Sequence, residues 1–541
     1  MRAALIVFLT AGNAPASVML DPDALGARVD ETAVTVSLTV NPAAAAASDA
    51  NSGTEARPLR TIARAAALAM DYNRRGVGVR VQIAPGVYRE SVILAGTEGD
   101  TSAPIIFEAA KGSATISGSD LWTGWRPGSP AGIYAHDWPH AWGVVPYPAG
   151  WDCCVVLPDR VRRREMLFVN GIRLSQVLSK DALRPGSFFV SEASHQVFVQ
   201  PPSAVAMDNA TVEVAVRSAL FQVQRRTNVV IRGLSFTHDN SAIGGSAAVA
   251  INNSTNILIE DAVMSANNNR GLALADDERV TVRRTVANSN GFLGIAGWKL
   301  TSGVFIDNET SYNNWRGFDD GFKDWDPSGT KLMLLRDAAV IRHTLIGNLS
   351  YGLWLDTDCV NVLLDSIVST NNLNDGVFLE AVQGPISIRG SSIRGNARAG
   401  IVVGNASNVD VRSTTISDNH VAQLLISGNP DGRGFDDFRT GQRQLVQSMN
   451  WTVMGNAISA GSGDQALVST TLPASNWQSF VDSLSSDENA WGLPVDRRGF
   501  RWVNGVKIDC PTWRELTGQD RRSDCFDPLS APRGLRVLPN P

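Results

Sequence analysis

Charge is scarce in this sequence. Asp, Glu, Lys and Arg make up 19% of its 541 residues, against a usual share of about 25%. Lys and Arg (48) do not outnumber Asp and Glu (53), and the one dense basic cluster, Arg160 to Arg164, is local. A basic surface able to track a phosphate backbone is missing, so nucleic acid is not an expected partner. Cysteine is scarce too: five residues and no CxxC pair exclude a zinc ribbon and a redox dithiol. No metal site and no cofactor are expected. Cys510 and Cys525 bracket a tail segment and could close a disulfide, while Cys153, Cys154 and Cys359 are expected as buried thiols. No segment offers the roughly 20 apolar residues of a membrane span. The opening MRAALIVFLTAG, with one cation, a short apolar run and then Ala14 and Ala16, reads as a secretory leader over residues 1–17. That places the expected location outside the cell or in the periplasm. With 43% hydrophobic residues and a net charge of −5, the chain is not disordered.

What the sequence has in abundance is Gly (48), Trp (14) and a repeat. Asn267, Asn290, Asn313, Asn348, Asn371, Asn396 and Asn419 recur at intervals of 23, 23, 35, 23, 25 and 23 residues. Before each lies a short apolar alternation such as Ile257-Leu-Ile259 or Val409-Asp-Val411. After each, usually, come Gly and a second alternation: GLALAD, GLWLDT, GVFLEA, GIVVGN. A fixed period in this range marks a solenoid, and period-2 strands rich in Val and Ile exclude helical repeats. The fold class is therefore all-β, a parallel β-helix. Asn is expected to take the left-handed turn between strands and to hydrogen-bond from rung to rung.

Other segments fit around that core. Residues 36–118 read as an N-terminal cap, with a helix over Leu59 to Asp71, and first coils. Between 119 and 210 the period vanishes into an inserted β-rich module. The main β-helix spans 211–470, and 471–541 form a C-terminal extension.

Aligning rungs at the Gly gives each side chain a direction, because strand residues alternate faces. Leu272/Leu274, Leu353/Leu355, Val377/Leu379 and Ile401/Val403 point inward. Ala273/Ala275, Ala296/Trp298, Trp354/Asp356 and Phe378/Glu380 point outward. Asp356 and Glu380 thus share one register on consecutive rungs, flanked by Trp354 and Phe378. Strands about 4.8 Å apart match the carboxylate spacing of roughly 5–5.5 Å used by retaining glycosidases. The single 35-residue interval places an acidic, aromatic insertion, read as Asn314 to Lys331, just before this pair. Within it Trp315 and Trp325 are candidates to wall a sugar site, and Asp319 and Asp320 to bind hydroxyls. Trp298, Trp354 and Phe378 complete the expected aromatic lining. His343 reads as a rung or surface residue.

GLWLDTD followed by VFLEAVQGP resembles the paired motifs of family 120 glycoside hydrolases, retaining β-xylosidases on a right-handed β-helix with an inserted β-sandwich. The overall resemblance covers most of the chain. It implies Asp356 as nucleophile and Glu380 as general acid/base in a double displacement on an oligo- or polysaccharide. Where the family tends to have an aromatic after the nucleophile and a His-Gly-Pro after the acid/base, this chain has Thr357 and Gln383. Gln383 is accordingly a candidate substrate contact, and the sugar is left open. Two other readings stand beside this one. A calcium-dependent polysaccharide lyase would draw on Lys299 or Lys323 and on Asp319, Asp320, Asp324 and Asp326. A non-catalytic carbohydrate-binding β-helix would need only the aromatics.

Overall fold

The computed structural model describes residues 20–527. The leader read at 1–17 lies outside them. The chain winds into a β-helix whose strands pair in parallel, each rung stacking on the last. The face carrying the site contains β1 (Ala247–Asn252), β2 (Arg270–Arg283), β3 (Ile295–Ile306) and β4 (Ser328–Ile341). It continues with β5 (Tyr351–Asp356), β6 (Val377–Val382), β7 (Ala399–Arg412) and β8 (Ala422–Ser427). Inward Val, Leu and Ile from successive rungs form one continuous core; Leu272, Ile295, Leu353, Leu379 and Ile401 are fully buried. Alternation explains the long apolar stack: each rung contributes every second residue.

The asparagines form the expected ladder, with a correction. Its members are Asn267, Asn290, Asn313, Asn348, Asn372, Asn396 and Asn419, each Nδ2 donating to the next Oδ1 at 2.8–3.1 Å. Gln423 ends it, accepting from Asn419 at 2.8 Å. The left-handed turn belongs to the residue before each Asn: Ala266, Ser289, Tyr312, Gly347, Asn371, Gly395 and Asp418 all have positive φ. So Asn371 makes the turn and Asn372 the ladder. The ladder Asn satisfies buried backbone N–H groups as well as its neighbour.

An N-terminal helix, α1 (Ile62–Arg74), starts three residues later than the sequence suggests because Thr61 caps it, accepting from Arg64 N. Residues 119–215 leave the solenoid as two small sheets, antiparallel except for one short parallel pairing of Ser175–Gln176 with Ser187–Ser191, around Trp138, Phe188, Val197 and Val214. Parallel pairing continues past residue 470, through Ser485–Asp487 and Asp524–Phe526. There Trp491 and Trp513 donate their indole N–H groups to the buried Asp520.

Cys510 and Cys525 are bonded, closing that end. Cys153 and Cys154, expected as buried thiols, instead form a disulfide between neighbours in an exposed turn. Cys359 is the buried thiol. His343 is a core residue: its Nε2 meets Thr310 Oγ1 (3.0 Å) and Thr330 Oγ1 (3.2 Å), and burial pushes the imidazole down to about 3.

Candidate active site

Backbone register turns the outward face into two columns. One runs Ala250, Ala273, Ala296, Lys331, Trp354, Phe378, Val402 and Leu425. The other, two residues on, runs Asn252, Ala275, Trp298, Met333, Asp356, Glu380, Gly404 and Ser427. The N-terminal rungs carry mostly small side chains, apart from Trp298. Aromatic and charged residues gather in the middle, at Lys331, Trp354, Asp356, Phe378 and Glu380. Gly404 leaves room for its neighbours, since a Cβ there would stand 3.2 Å from the Phe378 ring and 3.5 Å from Glu380 Cγ.

The insertion supplies a wall. It is shorter than the sequence reading made it: Ser328 to Lys331 already belong to β4, so the excursion ends at Pro327. The rung was obscured because its first inward residue, Thr330, is polar and bonds to His343. Past Pro327, Lys331 returns to the outward column opposite Trp354. Together the columns, the insertion and Trp151 of the inserted module enclose a cavity of about 860 Å³. Trp298 and Trp325, each 38% exposed, flank it. Trp151 meets the Trp325 ring edge-on at 6.3 Å.

Asp356 and Glu380 are register partners on β5 and β6, and both line the cavity. Asp356 Oδ2 accepts from Lys331 Nζ at 3.0 Å, and Oδ1 from Thr357 Oγ1 at 2.8 Å. Lys331 also donates to Asp326 Oδ1 (2.6 Å) and sits 3.6 Å from the centre of the Trp354 ring. Burial works against its charge, but Asp326 and Asp356 more than offset that and hold the ammonium above its ordinary range. Glu380 is raised above the usual carboxyl value, first by burial and then by the Asp356 charge. Arg433 and Lys331 pull it back partway. Arg433 reaches Glu380 Oε1 at 2.8 Å from a hairpin of β9 (Arg433–Asp436) and β10 (Arg443–Val446).

The other expected contacts divide. Trp298, Trp325, Trp354 and Phe378 line the cavity. Trp354 is only 3% exposed. It backs the site, packed against Tyr351 and Phe378 at ring separations of 4.8 Å. Trp315, Asp319 and Asp320 do not line it. They face the inserted module instead: Trp315 and Asp319 line a separate pocket, where Trp315 lies under Arg173 at 3.5 Å, and Asp320 pairs with Arg160 at 2.5 Å. The chain turns there through a short helix, Trp315–Phe318, with Asp319 at its C-terminal end. Gln383 is also outside the cavity lining; its Nε2 donates to Asp358 Oδ1 at 2.6 Å around the corner of the coil. The four insertion acids named for calcium are engaged differently: Asp319 and Asp320 with Arg160, Asp324 with Asn374, and Asp326 with Lys331.

Sequence reasoning missed Lys331, Arg433, Trp151 and Tyr351. Lys331 was within reach, since it is the second residue after Gly329 and so shares the outward register. Arg433 lies 53 residues beyond its partner and left no signal.

Residues 247–416 and 330–470 match the family described as right handed beta helix region. The chain carries a right-handed β-helix. No curated protein matches it. The solved structure of XylC with xylose is similar over 91% of this chain and 86% of that one, at 15% identity and a TM-score of 0.69. The A-module of the Azotobacter vinelandii mannuronan C-5 epimerase AlgE4 is similar over 85% of this chain and 92% of that one. Its identity is 17% and its TM-score 0.46. The likeness to XylC is one of fold.

Proposed function

We propose that the protein is a retaining glycoside hydrolase acting on an oligo- or polysaccharide. The observation that carries this reading is the in-register pairing of Asp356 and Glu380 across one strand spacing inside a tryptophan-flanked cavity. Neighbouring strands are about 4.8 Å apart. That suits a nucleophile and an acid/base flanking a glycosidic bond at the roughly 5–5.5 Å of retaining enzymes better than the roughly 6.5–9.5 Å that leaves room for an inverting water.

The two carboxyls stand in unlike surroundings, which divides the roles. Glu380, raised by burial and by Asp356, keeps its proton longer and donates it to the glycosidic oxygen as the bond breaks. Asp356 attacks the anomeric carbon, with Lys331 and Thr357 fixing the two carboxylate oxygens. Glu380, now without its proton, takes one from water, which releases the glycosyl-enzyme. Trp298 and Trp325 are placed to bracket the sugar, whose apolar ring faces suit aromatic surfaces. That XylC holds xylose in a similar fold supports a sugar in this cavity.

The lyase reading fares less well on one point. A lyase needs a neutral base, and the lysine in this cavity is held protonated by two carboxylates.

The test is a panel of aryl glycosides and polysaccharides, read for reducing ends and for unsaturated products. Reducing ends should appear with the wild type and fall by orders of magnitude in Asp356→Ala. Azide should partly restore that variant. Unsaturated products, or unchanged turnover in Asp356→Ala, would overturn the reading.

A further inference from the structure

The cavity holds four cations, and three of them have carboxylate partners. Lys331 pairs with Asp326 at 2.6 Å and Asp356 at 3.0 Å, Arg433 with Glu380 at 2.8 Å, and Arg398 with Asp375 at 2.6 Å. Arg270 has no such partner within 4.0 Å among the described residues. A guanidinium carries five N–H donors and stays charged. That of Arg270 makes one hydrogen bond there, from Nη1 to the Gly245 carbonyl at a long 3.4 Å. Its Nε is shielded from water and unpartnered. The Phe292 ring, 5.8 Å away, steadies the group from one side. The acid whose charge acts on it, Asp326, is already committed to Lys331.

The surroundings leave that head accessible. Arg270 begins β2 in register with Ala247, and beside it the cavity floor is Gly245, Ser246, Ala250 and Ala273. These four residues are small and leave room for a ring, with Trp151 and Leu293 also lining the cavity. Three strand spacings separate β2 from β5, roughly 14 Å of backbone along the axis. Arg270 therefore lies at the end of the cavity away from the reacting bond, where a neighbouring sugar unit would rest.

We infer that Arg270 binds a carboxylate on the substrate, so that the cavity takes an oligosaccharide containing a uronic acid. This rests on the reading of the cavity as a sugar site. One uncompensated cation matches the single charge of a sugar carboxylate. A phosphate would bring about 1.5 to 2 charges with no second free cation to meet them. A guanidinium fork and a carboxylate also fit each other in two parallel hydrogen bonds.

The experiment uses the wild type and Arg270→Met on an array of neutral and uronate-containing oligosaccharides. Some of those carry the uronate in the chain and others as a side unit. Binding should concentrate on one uronate class, which also identifies its source. Titration of the best glycan should show affinity falling roughly ten- to hundredfold in Arg270→Met, with partial recovery in Arg270→Lys. The same glycan with its carboxyl reduced to an alcohol should bind the wild type equally weakly, a control that does not depend on the variant's folding. Binding confined to neutral glycans, equal affinity for the reduced glycan, or no binding at all would overturn the inference. Uronate binding lost in Arg270→Met without any hydrolysis would sink the glycosidase reading and leave this one standing. Hydrolysis of neutral glycosides with uronates excluded would do the reverse.

Discussion

Lys331 Nζ stands 3.0 Å from Asp356 Oδ2, and the same ammonium bonds to Asp326 and lies over the Trp354 ring. One residue thereby ties the insertion, the nucleophile's rung and the aromatic backing together. Lys331→Met should leave two carboxylates buried without their cation. Removing one partner of a buried pair costs about 3–5 kcal/mol, so denaturant unfolding should show a loss of that order. Turnover should fall with it. A variant with unchanged stability would show that the pair is solvated and the cavity more open than described.

The pH dependence follows from Glu380. Its carboxyl is raised, so the proton it must donate stays on to higher pH than an ordinary Glu near 4.3 allows. Activity should therefore be retained below that raised value and lost as pH rises through it. Arg433 acts the other way, lowering Glu380 through a 2.8 Å ion pair. Replacing Arg433 by Met should move the alkaline limb of kcat/KM upward. A limb that moves down, or does not move, would place the titrating acid elsewhere.

Two tryptophans from the same insertion should behave differently. Trp325 lines the cavity and is 38% exposed. Trp325→Ala should raise KM several-fold while melting stays near that of the wild type. Trp315 lies between Arg173 and the Met166/Phe168 cluster of the inserted module. Trp315→Ala should leave KM unchanged and loosen that junction, visible as faster proteolysis within 119–215. Equal KM effects in both would contradict the division of the insertion into two faces.

The ladder can be tested at its centre. Asn348 accepts from Asn313 N (3.1 Å) and Nδ2 (3.0 Å), and donates to Thr310 O and Asn372 Oδ1 at 2.9 Å. Each buried group left unpaired costs about 1–3 kcal/mol. Asn348→Ala should therefore lose several kcal/mol by chemical denaturation, whereas a loss below about 1 kcal/mol would mean water replaces the amide.

The solenoid and the carboxylate pair were legible because both depend on register alone. A Gly-anchored alternation fixes which residues point outward, so Asp356 and Glu380 fall into one column without any knowledge of loops. Where a local choice broke the pattern, the reading slipped. In Asn371-Asn372 two identical residues take different jobs, and spacing does not tell the turn from the ladder. Thr330, buried and bonded to His343, hid the start of β4 and with it Lys331. Which face of an insertion turns inward depends on what it meets. Trp315, Asp319 and Asp320 meet arginines of a module far away in sequence. Arg433 and Arg270 owe their significance to partners, or the lack of one, that only the folded chain brings within reach.

The proposed chemistry has a stereochemical consequence that no binding protein, lyase or inverting enzyme shares. Proton NMR of the first minutes of hydrolysis of the best aryl glycoside, before mutarotation, reads the anomer that leaves the enzyme. With Asp356 as nucleophile and Glu380 as acid/base, the first-formed sugar should keep the configuration of the substrate. A first-formed sugar of opposite configuration would mean that water attacks directly and that Asp356 is not the nucleophile.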